Sequence, residues 1–280
     1  MSNDAEDPIK KLLEAIIEKR NTAIEAHIAL RRSPGFATAS KRSETLVADY
    51  ALGLHTVSLM STRSSAYGKT LLSLKMLDLL LESAISTQSL IREGMLNPAR
   101  REMRFLLEAS IKAWWCDSVD PSGGVQSKIE FLDDLGLARF REVVDTLRPR
   151  LLDEPTRQNL VHIITNVYAQ LSTHVHASTG DIGVNLNRFR RGEYVGFEAI
   201  ADVNRVNELF GRVLDVSLAA IFESFDAALL GDVFVQVFDG NSKWTFHKTR
   251  FVKSISSHYD YKAERQPFPF RIQRASPPRG

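Results

Sequence analysis

Apolar residues recur every three or four positions along this chain to about residue 230, the period of helices that bury one face. The spacing predicts a first helix over 8–30, opened by Pro8 and stopped by Ser-Pro-Gly at 33–35. A second is expected over 43–60. A third over 68–92 is apolar on nearly every side, which marks a central helix. Asn97 and Pro98 then open a fourth, to about 117. After the break at 121–124 come two shorter helices over 126–134 and 138–147. Long helices follow over 154–177 and 197–230, separated by a loop over 180–196 holding four glycines. Beyond 230 the pattern changes. The β-like runs at 233–238 and 243–252 around Asp-Gly-Asn-Ser read as a hairpin.

These elements predict an all-α fold. Its core is an up-down four-helix bundle made of the third and fourth helices with the 154–177 and 197–230 helices. Additional N-terminal helices over 1–62 pack on a bundle spanning 63–231. A small C-terminal β-hairpin over 232–253 and a disordered basic tail over 254–280 complete the expected organisation.

Composition changes this picture little. The 280 residues are 44% hydrophobic and 25% charged, with a net charge of +2, so overall charge does not mark a nucleic-acid binder. Charge is uneven, however: the segment from Lys243 carries +7 and the rest −5. Aromatic residues interleave with that basic segment, as in single-strand contacts and in plain solvated tails. The one cysteine, Cys116, rules out an intramolecular disulfide and a cysteine-based metal site, and Trp114 and Trp115 beside it suggest a buried thiol. No metal or cofactor is expected. The acidic N-terminus is no secretory signal, and Lys75, Asp78 and Glu82 interrupt the most apolar segment, so a cytoplasmic protein with no membrane span is expected.

The candidate chemistry lies in two helices. Tyr168, Ser172 and His176 follow at i, i+4 and i+8, on one flank of the 154–177 helix. Leu160, Ile164, Val167 and Leu171 define its buried face. His176 at the edge suits general acid–base work, or else it bonds the last carbonyls of its helix. A serine nucleophile is disfavoured, because no nucleophile elbow surrounds Ser172. On the fourth helix Arg104 and Glu108, at i and i+4, interrupt the stripe of Leu107, Ile111 and Trp115. Charges there must be paired or used: Arg104 holds a phosphate or carboxylate, or the two form a buried pair. Arg100 and Arg101 make the start of this helix basic. Arg188, Arg190 and Arg191 in the glycine-flanked loop form a second basic group able to grip phosphates, or a solvated surface.

Arg-Phe-Leu-Leu-Glu at 104–108 and Tyr-x-x-Leu-Ser-x-x-Val-His at 168–176 together resemble the HEPN superfamily of helical bundles, over roughly 65–230. The resemblance is closest to a branch of poorly characterised bacterial proteins. That superfamily includes metal-independent ribonucleases, often of toxin or phage-defence systems, and non-catalytic members. The resemblance implies an endoribonuclease acting as a homodimer on RNA. His176 would transfer protons and Arg104 would stabilise the phosphorane, with Glu108, Ser172 and Tyr168 orienting them. Arg100, Arg101, Arg188, Arg190 and Arg191 would bind RNA. The superfamily's Arg-then-His hallmark is met by Arg157 and His162, and by Arg20 and His27, neither in the Tyr-Ser-His segment. The alternative is a non-catalytic protein- or nucleic-acid-interaction module in which the polar seam is structural.

Overall fold

The computed structural model describes residues 8–135, 140–173, 179–238 and 241–259. The described chain is all-α: α1 (Pro8–Arg31), α2 (Pro34–Ser61), α3 (Tyr67–Thr70), α4 (Leu72–Lys75), α5 (Leu77–Arg92), α6 (Leu96–Val119), α7 (Val125–Leu135), α8 (Phe140–Thr146), α9 (Glu154–Ser172), α10 (Thr179–Arg191), α11 (Ile200–Glu223), α12 (Ala227–Val233) and α13 (Arg250–Ser257). No strand occurs among the described residues, and none of their helices is long and apolar enough to cross a membrane.

The helix α6 packs on α5, α11 and α9, while α2 packs on α11 and α5. The expected up-down quartet of the third, fourth, 154–177 and 197–230 helices is therefore not the arrangement seen, because α2 lies in the core. The reason lies at 33–35. Ser33 accepts a hydrogen bond from the Phe36 amide (3.2 Å) and Pro34 fills the first turn, so the expected stop is also an N-cap. That start lengthens α2 and lets it bury Phe36, Leu46, Tyr50 and Val57. Two bonds set its register against α11: Asn207 Nδ2 donates to the Ala39 carbonyl (2.8 Å), and the Tyr50 and Ser217 hydroxyls pair at 2.7 Å. Sequence numbers rise together along both helices, so α2 and α11 run parallel.

The third expected helix is broken into α3, α4 and α5. Leu71 is extended (φ −87°, ψ 110°), which frees the amides of Leu72 and Ser73. Both donate to the buried Asp117 carboxylate of α6, at 2.8 and 2.9 Å. Lys128 of α7 completes the knot, donating to Asp117 (2.9 Å) and to the Thr70 carbonyl (2.6 Å). Gly94 (φ 72°) ends α5, with Met95 N–H reaching back to the Leu90 carbonyl.

Three further expectations are corrected. The segment 180–196 is not an open loop: α10 occupies its first part, and Gly192 (φ 74°) closes that helix, with Glu193 N–H on the Arg188 carbonyl. The C-terminal hairpin is replaced by α12, a π-turn (Phe234–Phe238), a 3-10 turn (Thr245–Lys248) and α13. Leu230, Val233, Phe234 and Phe238 are among the positions buried there, at steps of three and four that alternation cannot satisfy. Phe238 stacks on Trp244 (4.1 Å), and Phe234 lies against Phe222. Residues 254–259, expected to belong to a disordered tail, are ordered: α13 runs to Ser257, and Ile255 and Tyr259 are buried; 260–280 lies outside the described residues.

Candidate functional site

The structure brings Arg104 and Tyr168 together. The Arg104 guanidinium donates to the Tyr168 hydroxyl (2.6 Å) and lies 4.7 Å from the Tyr168 ring centre. That ring stacks on Phe140 of α8 at 4.3 Å. The result is a layered contact fastening α9 and α8 to α6. Arg104 Nε is buried and has no hydrogen-bond partner among the described residues.

The other seam residues are used differently. Glu108 does not meet Arg104; it pairs with Lys112 one turn on, at 2.8 Å. Ser172 Oγ donates back to the Tyr168 carbonyl (2.6 Å), satisfying its own helix. His176 lies outside the described residues; among the described seam residues, Arg104 and Tyr168 meet, while Glu108 and Ser172 bond elsewhere. Of the two Arg-then-His pairs, His162 bonds Asn166 (2.8 Å), while Arg157 reaches Glu154 and the Leu152 carbonyl. They are about 140° apart on regular α9. His27 stacks on Phe197 (4.0 Å), and burial followed by the nearby Arg31 lowers its pKa.

The arginines of α10 are largely compensated. Arg188 is ion-paired with Glu198, and Arg191 makes two 2.7 Å bonds to Glu193. These bonds push the Arg191 pKa up and the Glu193 pKa down. Arg190 is exposed, and its carbonyl accepts from Lys19. Arg100 donates to Asn97 (2.7 Å), and Arg101 is exposed on α6.

A larger feature lies elsewhere. The faces of α2 and α11 that carry Thr38, Lys41, Arg42 and Thr45, and Glu208, Arg212 and Asp215, wall an open hollow of about 1050 Å³, closed at one end by Thr249 and Arg250. Its floor includes Asn207, fully buried, whose Oδ1 has no hydrogen-bond partner among the described residues. Two neighbouring hollows adjoin it. One of about 360 Å³ lies between Arg212, Arg250 and Gln170 of α9. Another of about 530 Å³ lies between Arg212, Arg205, Arg100 and Thr173. Arg212 borders all three. It is exposed, and its guanidinium has no ion-pair or hydrogen-bond partner among the described residues. Arg42 is held loosely by Glu208, at 3.7 Å with both side chains about half exposed.

Asp215 anchors one side of this channel. Its carboxylate accepts from Thr249 Oγ1 (2.7 Å) and from the Phe251 and Val252 amides (both 3.1 Å), capping α13. Burial pushes its pKa up to about 6 despite those bonds. Sequence reasoning missed Asn207, Arg212 and Asp215. One signal was available: Asn207 takes the i+4 place after Val203 in a series continued by Phe210 and Leu214. No group of three or more potential metal ligands occurs among the described residues.

No family model, curated protein or solved structure matches this chain.

Proposed function

We propose that this protein is a nucleic-acid-interaction module, and that the channel meeting at Arg212 holds the phosphate backbone of a single RNA strand. The observation that carries the reading is the uncompensated Arg212 where three hollows join, with Lys41, Arg42, Arg250, Arg205 and Arg100 along them. An elongated, basic, open channel suits a linear polyanion. Its charged residues sit on regular helices: Arg205 and Arg212 are two turns apart on α11, about 10 Å by helical rise. In this reading the Arg104–Tyr168 seam is structural. Apart from Arg104 Nε, its described groups are taken up by each other, by Lys112 and by the α9 backbone.

The test is fluorescence anisotropy with a labelled mixed-sequence single-stranded RNA over a range of salt. Arg212→Glu with Arg250→Ala should weaken binding at least tenfold. Arg212→Ala alone should flatten the log K against log salt slope by about 0.7, one phosphate contact. Arg191→Ala should change neither. RNA binding that ignores Arg212 would overturn the proposal. The ribonuclease implied by the HEPN resemblance is read in the same samples: cleavage in EDTA that His176→Ala abolishes would replace a binding module with an enzyme.

A further inference from the structure

Gly53 and Gly211 lie deep inside two long core helices, and packing requires only the first. A Cβ on Gly53 of α2 would stand 2.8 Å from Leu218 Cδ2, so a side chain is excluded there. A Cβ on Gly211 of α11 would meet Leu46 at an ordinary 3.5 Å. Glycine inside a helix is less stable than alanine, and that contact does not ask for it. A side chain at 211 would instead enter the large hollow between α2 and α11, which Gly211 lines together with Leu46 and Ala37. Helical side chains lean toward the preceding turn, so it would lie over Asn207, four residues back.

Asn207 carries an orphaned atom at that place. Its Nδ2 donates to the Ala39 carbonyl (2.8 Å), which fixes the orientation of the amide and leaves the buried Oδ1 with no partner among the described residues. A buried acceptor left unbonded is unfavourable. The hydroxyls of Thr38, Thr45 and Thr249 in the same hollow are acceptors too. Thr38 and Thr45 donate to the Pro34 and Lys41 carbonyls, and Thr249 donates to Asp215. These four neutral side chains therefore offer lone pairs, their protons being taken up within the fold. The donors are the charged ends of Lys41, Arg42, Arg212 and Arg250.

We infer that the hollow over Gly211 takes one unpaired nucleobase of the bound strand, of the kind that carries an exocyclic amino group. The inference rests on the reading of the channel as a strand-binding site and adds which part of the strand enters the hollow. The base lies against Leu46 and the bare backbone of Gly211. Its amino group donates to Asn207 Oδ1 or a threonine oxygen, and the neighbouring phosphates stay with the arginines. Cytosine, adenine and guanine carry such a group; uracil presents a carbonyl oxygen where cytosine has its amino group, and that oxygen would meet lone pairs. A paired base has its amino group already bonded, so the hollow selects a single strand.

Fluorescence anisotropy with oligo(C) and oligo(U) of about ten nucleotides tests it. Wild type should bind oligo(C) about tenfold more tightly. Gly211→Leu, which fills the hollow, should bring oligo(C) down to the oligo(U) level. Gly211→Ala should reduce the preference while raising the melting temperature by a few degrees, which separates loss of binding from loss of fold. Arg212→Ala should weaken both oligonucleotides alike. Free 5′-CMP should compete only far above the Kd of oligo(C). Equal binding of the two by wild type, or a preference that survives Gly211→Leu in folded protein, overturns the inference; the channel reading then stands if Arg212→Ala still weakens both. Binding of neither oligonucleotide removes the channel reading and the inference with it. CMP that binds as tightly as oligo(C) overturns the inference by putting a free nucleotide in the hollow.

Discussion

Lys128→Met should be among the most damaging single substitutions in this chain, although Lys128 lies far from the Arg212 channel in sequence and touches none of its hollows. The Lys128 and Asp117 side chains are each only 1% exposed, with Nζ and Oδ1 2.9 Å apart. Methionine fills nearly the same volume as the lysine stem, so the change leaves little void. What it removes is a buried countercharge and the donor to the Thr70 carbonyl at 2.6 Å. Asp117 keeps its two backbone bonds to Leu72 and Ser73, but its negative charge is stranded in the interior. Breaking a buried pair from one side costs about 3–5 kcal/mol. Against a total stability of roughly 5–15 kcal/mol, that is a large fraction. At about 2–4 °C per kcal/mol it lowers the melting temperature by roughly 10 °C.

The matched control is Lys112→Met. Its partner Glu108 is as close, at 2.8 Å, but the two side chains are 27% and 29% exposed. Water screens that pair, and its loss should cost under about 1 kcal/mol. Distance is thus held constant while burial varies. Urea unfolding followed by circular dichroism measures both variants. Asp117→Asn combined with Lys128→Met should recover part of the loss, because no bare charge remains. If Lys128→Met unfolds within 1 kcal/mol of wild type, or no earlier than Lys112→Met, the assignment of this knot as the clamp on α4 and α7 is wrong.

Asp215 titrates near 6 in the folded chain against 3.8 for a free side chain, so its contribution is complete below pH ~4 and is lost as pH rises through 6. That loss is about 3 kcal/mol, so the unfolding free energy of wild type minus that of Asp215→Asn should fall by about this much over that range; a flat difference refutes the assignment. Gly94→Ala must adopt a left-handed φ of 72° and place its Cβ 2.6 Å from the Gly196 carbonyl oxygen. The conformational penalty alone is about 1–2 kcal/mol, so thermal melting of this variant should drop by several degrees. Burial first, and then the neighbouring Asp117, pushes the Cys116 thiol up to about 11. Native protein should resist a thiol reagent at mildly alkaline pH and react fully in concentrated guanidinium chloride; ready native labelling would contradict its burial.

The sequence was a good guide where local signals decide structure. The N-cap Asp153 accepts from Thr156 (2.8 Å) with Pro155 in the first turn, opening α9 at the expected place. Gly94 ends α5 as anticipated, and Cys116 is buried. Arg104 and Tyr168, each singled out on its own helix, meet in the structure. The partner of Glu108 was misjudged because two bases, Arg104 and Lys112, lie one turn away on either side, and periodicity does not choose between them. The Arg212 channel escaped notice because each of its walls, read alone, is the ordinary solvated side of an amphipathic helix.

Two of the remaining errors, the unbroken third helix and the C-terminal hairpin, fall where a buried carboxylate caps a distant segment. Three buried carboxylates each hold a pair of backbone amides from a distant segment: Asp117 those of Leu72 and Ser73, Asp215 those of Phe251 and Val252, and Glu223 those of Arg150 and Leu151. Asp117 and Asp215 act as N-caps supplied from another helix, 45 and 36 residues away from the first amides they bind. A local cap leaves a readable signature of Ser, Thr, Asp or Asn just before the helix. A remote cap leaves only an acid inside an apolar stripe, where it looks like an oddity of its own helix. Asp117 beside Trp114 and Cys116, and Asp215 beside Leu214, are such oddities. Desolvating them is unfavourable, as the upward shifts of Asp215 and Glu223 record. That cost is met because each acid fixes a chain entry whose amides would otherwise be unbonded in the interior. Acids in the apolar stripes of α6 and α11 therefore specify where α4, α13 and the 150–152 segment dock, and α13 in turn carries Arg250 to the end of the channel.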